Sequence, residues 1–423
     1  MGVLFVLLFI GVPVAVALAT VGFVGFAFIS GFDSALGIIR IVPYGTFSNY
    51  SLIVIPLFVL MGNLAFQSGL SSDLFSTART WFGRVRGGLA MAATVACGAF
   101  AAICGSSAAT AATMAKVALP EMKRHGYDDG LATGALAAGG TIGIMIPPSV
   151  IFIIYGVLTG NSIGSLFLAG IFPGLLQVAL YIALIAVVCL LFPTLGPSGK
   201  STSLGEKVKS LRGSWLVLVL FALVIGGIYA GLFSPVEAAG IGAFGAFVIA
   251  LARRRLTWAG FRDSLVDSLV TSAMIFFIML GANIFGYFLA VTRMPQTIAD
   301  LLVGLQVSPY VVLLIIILIY VVLGMLMDSM AMVLITVPIF YPVSVALGFD
   351  PIWFGVIIVR VCELGLVTPP VGMNLYVLKG AAGDVPMGKI WRGVAPFIGV
   401  DLVHLALLVA FPAISLLVPN LMR

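Results

Sequence analysis

CGSSAATAATMAKVALP, from Cys104 to Pro120, and TIGIMIPPSVIFIIYG, from Thr141 to Gly156, are the segments that decide how this 423-residue chain folds. They lie in a stretch, residues 86–173, that recurs at an offset of 222 residues as 308–396. The residues that recur are turn, cap and helix-breaking residues: Ser107 and Ser329, Pro120 and Pro342, Gly126 and Gly348, Asp128 and Asp350, Gly143 and Gly365, and Pro147-Pro148 and Pro369-Pro370. Paired segments that Gly and Pro interrupt at matching positions of an apolar chain indicate a transport site between two repeats.

The composition is that of a helical membrane protein. Apolar residues make up 62% of the chain and charged residues only 9%, whereas about a quarter of a soluble domain is charged. Apolar runs near or above ~18 residues recur, and the alternation of a membrane β-barrel is absent. We therefore predict an all-α polytopic membrane protein in which residues 1–30 form a first span rather than a cleaved signal peptide.

The cysteines and the net charge give no sign of another class of protein. Four cysteines, Cys97, Cys104, Cys189 and Cys362, lie in apolar segments without paired spacing. This pattern favours packing over a disulfide or a metal site. The net charge of +6 is explained by basic residues in cytoplasmic loops rather than by nucleic acid binding.

Five regions follow from the repeats and the polar interruptions. They are 1–86 (scaffold helices and a first interfacial arm), 87–160 (first core repeat, with a hairpin at 87–122 and a broken helix at 129–160), 161–308 (scaffold helices, a polar linker at 195–214 and arms), 309–380 (second core repeat, with a hairpin at 309–349 and a broken helix at 352–378) and 381–423 (last scaffold helix). Residues 31–50 are predicted to be a loop. The interfacial arms are Ser71–Arg86, Trp258–Asp267 and Arg293–Leu305.

The basic residues predict that the two repeats have opposite orientations. Sixteen of the 21 Lys and Arg residues can be assigned to one side of the membrane, which is then the cytoplasmic side. The first hairpin begins and ends there, beside Arg86 and Lys123, whereas the second has no basic residue at its immediate ends. We expect inverted topology, a cytoplasmic N-terminus and a periplasmic C-terminus.

Each hairpin has a polar tip where a carboxylate or hydroxyl group can meet a ligand. Residues 87–122 are too few for two full spans and a turn, so a re-entrant hairpin with its tip at Ser106 and Ser107 is favoured. In the second copy Asp328 takes the position of Ser106. A carboxylate at that depth normally pairs with a cation, and the alternative is that Asp328 caps a half-helix.

The Pro-Pro pairs break otherwise apolar helices after Ile146 and Thr368. Proline removes a backbone donor and leaves carbonyl groups without partners. Those carbonyls, with nearby hydroxyls, form the kind of oxygen cage that suits Na⁺, and the N-termini of the half-helices favour a substrate carboxylate.

Four further polar residues lie in the apolar helices. Arg360 and Glu363 are one turn apart and are expected to pair, with Arg360 as an anion ligand as the alternative. Asp401 and His404 are expected to pair with each other or to mark a contact with another subunit.

Four segments together resemble the large membrane subunit of TRAP (tripartite ATP-independent periplasmic) transporters, the DctM-like family. They are GVPVAVALA (Gly11–Ala19), CGSSAATAATMAKVALPEM (Cys104–Met122), GGTIGIMIPPSVIFIIYG (Gly139–Gly156) and ELGLVTPPVGMNLYV (Glu363–Val377). The resemblance covers essentially the whole chain, and Arg360 departs from it because an apolar residue is expected there.

The resemblance implies an elevator-type, sodium-driven importer of organic acids such as C4-dicarboxylates, sialic acid or other sugar acids, in a bacterial cytoplasmic membrane. It implies two partners, a separate four-helix membrane subunit and an extracytoplasmic substrate-binding protein, and no organic cofactor. At least two sodium sites are implied, formed by Ser106, Ser107, Gly143 and Pro147 and by Asp328, Ser329, Gly365, Thr368 and Pro369. The implied substrate ligands are Ser107, Ser149, Asp328 and Ser329.

Three other functions compete with this reading. A stand-alone ion-coupled carrier would share the repeats but need no binding protein. An intramembrane hydrolase would use Ser106 or Ser107 as nucleophile with His404 as base, and it would need these residues within hydrogen-bond reach. It would also leave the repeat unexplained. A passive channel needs no paired broken helices. We therefore expect a transporter rather than an enzyme.

Overall fold

A computed structural model describes residues 2–199, 202–304 and 307–421, and within these ranges the regular elements are all helices. Besides a 3₁₀ turn at Tyr50–Ile53 they are α1 Gly2–Phe9, α2 Val14–Ser30, α3 Phe32–Phe47, α4 Val54–Gln67, α5 Leu70–Phe82, α6 Gly88–Cys104, α7 Ser107–Arg124, α8 Asp129–Met145, α9 Val150–Thr159, α10 Ile163–Leu191, α11 Leu204–Tyr229, α12 Pro235–Ala252, α13 Trp258–Thr292, α14 Met294–Gly304, α15 Pro309–Leu326, α16 Ser329–Ala346, α17 Pro351–Val367, α18 Met373–Ala382, α19 Met387–Ala410 and α20 Ala413–Leu421. Eight of these helices are long and apolar enough to cross a membrane, and the bent pair α8–α9 would add a ninth span. The all-α polytopic class is confirmed.

The internal repeat appears in the helix boundaries. Helices α7 and α8 begin and end at the same positions as α16 and α17 once 222 is added to the residue numbers. The correspondence extends outward to the short helices α5 and α14, which precede the two hairpins. Both repeats are therefore built from one series of elements: a short helix, a hairpin and a broken helix.

Matched cap residues set these boundaries. The side chain of Asp128 accepts hydrogen bonds from the backbone amides at the start of α8, and Asp350 does the same for α17. Partial burial of the Asp128 carboxyl acts to raise its pKa, but the ammonium group of Lys389, 3.1 Å from Oδ2, and the two capped amides hold the pKa below its usual range. An N-cap carboxylate satisfies amide groups that the helix itself leaves free.

Helices α8 and α17 form the centre of the molecule, since every residue of 130–145 and 352–367 is buried. The hairpins cross over between the repeats: α7 packs against α18, and α16 packs against α9. Helices α10 and α19 pack onto α8 and α17, whereas α2 with α13 and α4 with α12 form the main pairs outside the core.

Five sequence predictions of helix limits are wrong, and one of them is the single last helix at 381–423, where the structure has the two helices α19 and α20. The first span is two helices, because the chain turns before Pro13 between α1 and α2. The predicted loop at 31–50 is mostly α3, which packs on α2 and α13. The predicted arm Trp258–Asp267 is the start of the unbroken helix α13, and the polar linker becomes helical from Leu204, where α11 begins. Three residues used in the predictions lie outside the described residues. They are Lys200 of the linker, Leu305 of the third arm and Arg423, which was assigned to the periplasmic side.

Close backbone contact between α8 and α19 predicts that one glycine of α19 tolerates no side chain. A methyl group at Gly393 would lie 1.9 Å from the carbonyl oxygen of Gly130, whereas one at Gly399 would meet no atom within 4 Å. We expect Gly393→Ala to destabilise the protein by about 1–3 kcal/mol through overpacking and Gly399→Ala to have little effect. Thermal unfolding of the purified proteins in detergent is the measurement, and equal unfolding temperatures for the two variants would contradict the packing of α8 on α19.

Candidate functional site

The two hairpin tips are capped half-helices. Between α6 and α7 the chain turns at Gly105, whose φ is +65°, and Ser106 Oγ accepts a hydrogen bond of 3.4 Å from the Ala109 amide. At the second tip, Asp328 Oδ1 accepts from the amides of Met330 and Ala331, at 2.9 and 3.1 Å. The capping alternative for Asp328 is therefore observed, and because neither bond uses Oδ2, the cap leaves that oxygen available for a ligand.

The two Pro-Pro segments interrupt their helices where the sequence predicts. Helix α8 ends at Met145 and α9 begins at Val150, with 41° between their axes. Ser149 is fully buried and caps α9 through Phe152 N, at 3.4 Å. In the second break the Thr368 hydroxyl donates a 2.6 Å hydrogen bond to the Leu364 carbonyl.

Each tip lies against the break of its own repeat. A methyl group at Gly105 would lie 3.4 Å from the Pro148 carbonyl oxygen. In the second repeat the Gly372 amide donates a 3.3 Å hydrogen bond to the Met325 carbonyl, while Gly324 and Gly365 bring the backbones of α15 and α17 into direct contact. Irregular backbone is tolerated at membrane depth where protein or a water-filled cavity covers it, and this packing provides the protein cover.

The oxygen atoms at the breaks suit a small, hard cation. A methyl group at Gly372 would lie 3.1 Å from the carbonyl oxygens of both Leu366 and Thr368, so two carbonyl groups converge on a space that only glycine leaves open. Among the described residues no group of three or more His, Cys, Asp or Glu side chains is placed to hold a metal ion. Carbonyl and hydroxyl oxygens from unwound backbone are the donors that carriers use for Na⁺, so the residues present fit sodium.

Glu363 connects the two tips. Its Oε2 accepts a 2.5 Å hydrogen bond from the Ser107 hydroxyl, and its Oε1 accepts a 3.0 Å hydrogen bond from the Ser329 hydroxyl. These serines are the matched pair of the two repeats, and all three side chains are buried. One carboxylate of α17 thereby brings together two of the predicted site residues that are far apart in the sequence.

Arg360 faces away from Glu363, so the predicted pair between them is wrong. Its guanidinium forms an ion pair with Asp401 of α19, and its Nε donates a 2.9 Å hydrogen bond to His404 Nδ1. Tyr181 of α10 donates to Asp401 at 2.5 Å, and Gln177 donates to Tyr181 at 3.1 Å. These residues form a buried polar network that joins α17 to α10 and α19, and Asp401 and His404 meet through Arg360 rather than directly.

The same contacts bear on the hydrolase alternative. His404 lies against Arg360, whereas the hydroxyl of Ser107 donates to Glu363. The hydroxyl of Ser106 caps α7. The pairing of a serine nucleophile with a histidine base that a hydrolase needs is therefore not formed by these residues.

Sequence reasoning gave Glu363 too little weight. A carboxylate within an apolar helix is a functional candidate by default, and Glu363 lies two residues before Gly365, which is one of the matched glycines. The sequence favours pairing of Arg360 along its own helix, because the distances between helices are not visible in a sequence.

Comparison with known protein families matches residues 1–414 to the family described as tripartite ATP-independent periplasmic transporter, DctM component. The chain is 37% identical over 378 residues to the C4-dicarboxylate TRAP transporter large permease protein DctM of Pseudomonas aeruginosa, covering 89% of this chain and 88% of that protein. It is 34% identical over 419 residues to the sialic acid TRAP transporter large permease protein SiaM of Vibrio cholerae, covering 98% and 96%.

Two further comparisons concern length and fold. The isethionate TRAP transporter permease protein DctMQ of Oleidesulfovibrio alaskensis is 34% identical over 413 residues, which are 97% of this chain and 64% of the longer relative. Among solved structures, the YdaH transporter of Alcanivorax borkumensis superimposes with a TM-score of 0.69 at 16% identity, covering 90% of this chain and 89% of that one. The likeness to the YdaH transporter concerns the fold alone.

The buried network predicts a large effect for the loss of one charge. We expect Arg360→Leu to destabilise the protein by about 3–5 kcal/mol, because Asp401 is left as an unpaired buried charge. The combined variant Arg360→Leu/Asp401→Leu should recover most of that loss. Thermal unfolding in detergent is the measurement.

A second ion pair provides the matched control for this prediction. Arg79 and Glu121 pair at a more exposed position, where their side chains are 46% and 22% accessible. Glu121→Gln should therefore change stability by only about 0–1 kcal/mol. An Arg360→Leu protein as stable as Glu121→Gln would show that the buried pair is not required.

Proposed function

Since the chain belongs to the DctM family of tripartite ATP-independent periplasmic transporters, we propose that it is the large permease of a sodium-driven importer of organic acids. The observation that carries this proposal is the packing of each polar hairpin tip against the Pro-Pro break of its own repeat. Paired broken helices with free helix ends at a repeat interface are the arrangement in which secondary transporters bind substrate and ion.

An organic anion is the substrate class that the site favours. The three relatives described above are named for C4-dicarboxylate, sialic acid and isethionate, each an organic acid. The N-terminus of α18 has no side-chain cap, and Asn374 in its first turn is fully buried with neither side-chain polar atom hydrogen-bonded within the described residues. Helix N-termini and unpaired amide groups suit a carboxylate, and we propose Ser107, Ser149, Asp328 and Ser329 as its further ligands.

Sodium is proposed as the coupling ion, at two sites that the repeat relates. The first would use Ser106, Ser107, Gly143 and Pro147, and the second Asp328, Ser329, Gly365, Thr368 and Pro369. Bound sodium supplies positive charge beside the Asp328 carboxylate, which would otherwise repel an anionic substrate. Ion binding before substrate binding follows from this charge arrangement.

An elevator motion is proposed for the transport step, in inverted repeats whose orientation follows from the charge distribution. The short helix α5 contacts both parts that would move relative to each other. Its Asp73 pairs with Arg253 at the end of α12, and its Arg79 pairs with Glu121 near the end of the hairpin helix α7. In this proposal α5, which forms an ion pair toward each part, links the scaffold to the core.

The family is tripartite, and we propose that this chain works with a small four-helix membrane subunit and an extracytoplasmic substrate-binding protein. The longer relative of which this chain covers 64% carries the name DctMQ, which supports a close association of large and small permease parts. We propose the bacterial inner membrane as the location, with the N-terminus cytoplasmic and the C-terminus periplasmic.

Uptake in proteoliposomes tests the function. Vesicles containing this chain and its small partner subunit should accumulate labelled dicarboxylate or sialic acid only with an inward sodium gradient and a matching binding protein. Omitting either component should reduce uptake to background. Uptake with sodium alone would identify a stand-alone carrier, and uptake with a proton gradient in place of sodium would refute the sodium sites.

The proposed role of Asp328 is tested with a second capping aspartate as control. Asp328→Asn keeps a good N-cap but removes the charge, so sodium affinity in the uptake assay should fall at least about tenfold, since bonds to charged groups contribute roughly 1.5–3 kcal/mol. Asp350 caps α17 with the same geometry, and Asp350→Asn should leave the affinity unchanged. Equal affinities in the two variants would restrict Asp328 to capping.

A further inference from the structure

We infer that Glu363 is a positioning residue shared by the two sodium sites. Its carboxylate accepts hydrogen bonds from the hydroxyl groups of Ser107 and Ser329, and this orients a lone pair of each serine oxygen toward a cation. This inference rests on the proposed function, because it assumes that these two serines are sodium ligands. It adds a carboxylate that links the two sites, and it makes sodium binding cooperative.

The geometry gives each tip one oxygen of the same carboxylate. Ser107 donates to Oε2 at 2.5 Å and Ser329 donates to Oε1 at 3.0 Å. Relative accessibilities are 0% for Glu363, 2% for Ser107 and 4% for Ser329, so water has little access to compete for these bonds. An ionised carboxylate only accepts hydrogen bonds, and both serines must then donate.

A hydroxyl that binds a cation has to direct its hydrogen elsewhere. Serine has one hydrogen and two lone pairs, and a rotating hydroxyl presents a cation with its hydrogen in part of its orientations. An outer-shell acceptor removes those orientations, and loss of such a partner typically lowers metal affinity by about 10- to 100-fold. Glu363 is this acceptor for one hydroxyl of each repeat.

The charge of Glu363 also favours cation binding. The nearest cationic side chain on its helix, Arg360, forms its ion pair with Asp401 instead. Among the described residues Glu363 itself forms no salt bridge, and its recorded side-chain partners are the two serine hydroxyls. When Glu363 is ionised, its buried charge has no ion partner, which is unfavourable, and sodium near either serine relieves that penalty.

One carboxylate between two sites makes the sites communicate. Sodium bound to the Ser107 oxygen polarises its O–H group and strengthens the bond to Glu363, since hydrogen bonds in a chain reinforce one another at low dielectric. The carboxylate is then held in the orientation that the Ser329 hydroxyl requires. Two ions that each order the same group bind cooperatively, and the coupling acts equally in both directions.

Thermal unfolding with sodium provides a readout that does not depend on transport. The detergent-solubilised complex of this chain with its small subunit is titrated with NaCl, with choline chloride keeping the ionic strength constant. We expect a sodium-specific, sigmoidal rise of the unfolding temperature for the unaltered protein. Glu363→Gln should move half-saturation to a sodium concentration on the order of 10- to 100-fold higher and make the curve hyperbolic, because the amide group donates where one serine needs an acceptor.

Three other variants complete the design. Glu363→Asp keeps the charge but shortens the reach, so it should lose the sigmoidal shape with a smaller change in affinity. Ser329→Ala alone should weaken sodium binding, whereas adding it to Glu363→Gln in a double variant should have little further effect. Glu237→Gln is the matched control, because Glu237 lies in the capping box of α12, where glutamine serves equally well.

The outcomes separate this inference from the proposed function. If the unaltered protein binds sodium cooperatively and Glu363→Gln binds it with the same affinity and shape, the shared positioning role is wrong and the sodium sites stand. If the unaltered protein gives no sodium-specific shift, the sodium sites fall and this inference falls with them. If Glu363→Gln does not fold, Glu363→Asp and Ser329→Ala decide, and unchanged cooperativity in both overturns the inference.

Discussion

Backbone groups that no helix satisfies have to be covered when they lie in an apolar surrounding, and this constraint shapes the molecule. In the described part of the two core repeats there are two hairpin tips and two Pro-Pro breaks, and each tip lies against the break of its own repeat. Glycine at Gly105, Gly324, Gly365 and Gly372 permits the close approach. The two tips are joined through Glu363 of the buried helix α17, which accepts a hydrogen bond from a serine of each tip.

Helix α17 contains an acidic and a basic side chain, Glu363 and Arg360, and they contact different neighbouring helices. Glu363 faces the hairpin tips, whereas Arg360, one turn earlier, faces Asp401 and His404 on α19. The arrangement leaves the carboxyl group of Glu363 near the proposed ion sites instead of pairing it with Arg360. It also joins the core helix α17 to α10 and α19, which lie in regions predicted as scaffold.

Local sequence signals predicted the helix limits of the core. The side-chain partners could not be predicted, because they depend on contacts between residues far apart in the sequence. Pro147, Pro369 and the capping residues Asp128 and Asp350 fix where helices begin and end, and these limits agree with the structure. Polarity was a poor guide at Trp258, because the polar residues that begin there belong to the same unbroken helix α13 as the apolar residues that follow. The partners of Glu363 and Arg360 depend on how α17 sits between other helices, which sequence spacing does not reveal. The ligand roles of the site residues stay predictions.

The exchange of partners between the repeats has a consequence for biosynthesis. Helix α9 ends at Thr159, but its partner α16 begins at Ser329, and α7 likewise precedes α18. Domains generally fold as units, N-terminal parts first, during synthesis, yet the contacts of α7 with α18 and of α9 with α16 cannot form until the second repeat has been synthesised. The surfaces of α7 and α9 that face α18 and α16 therefore lack their final partners until the second repeat has been inserted.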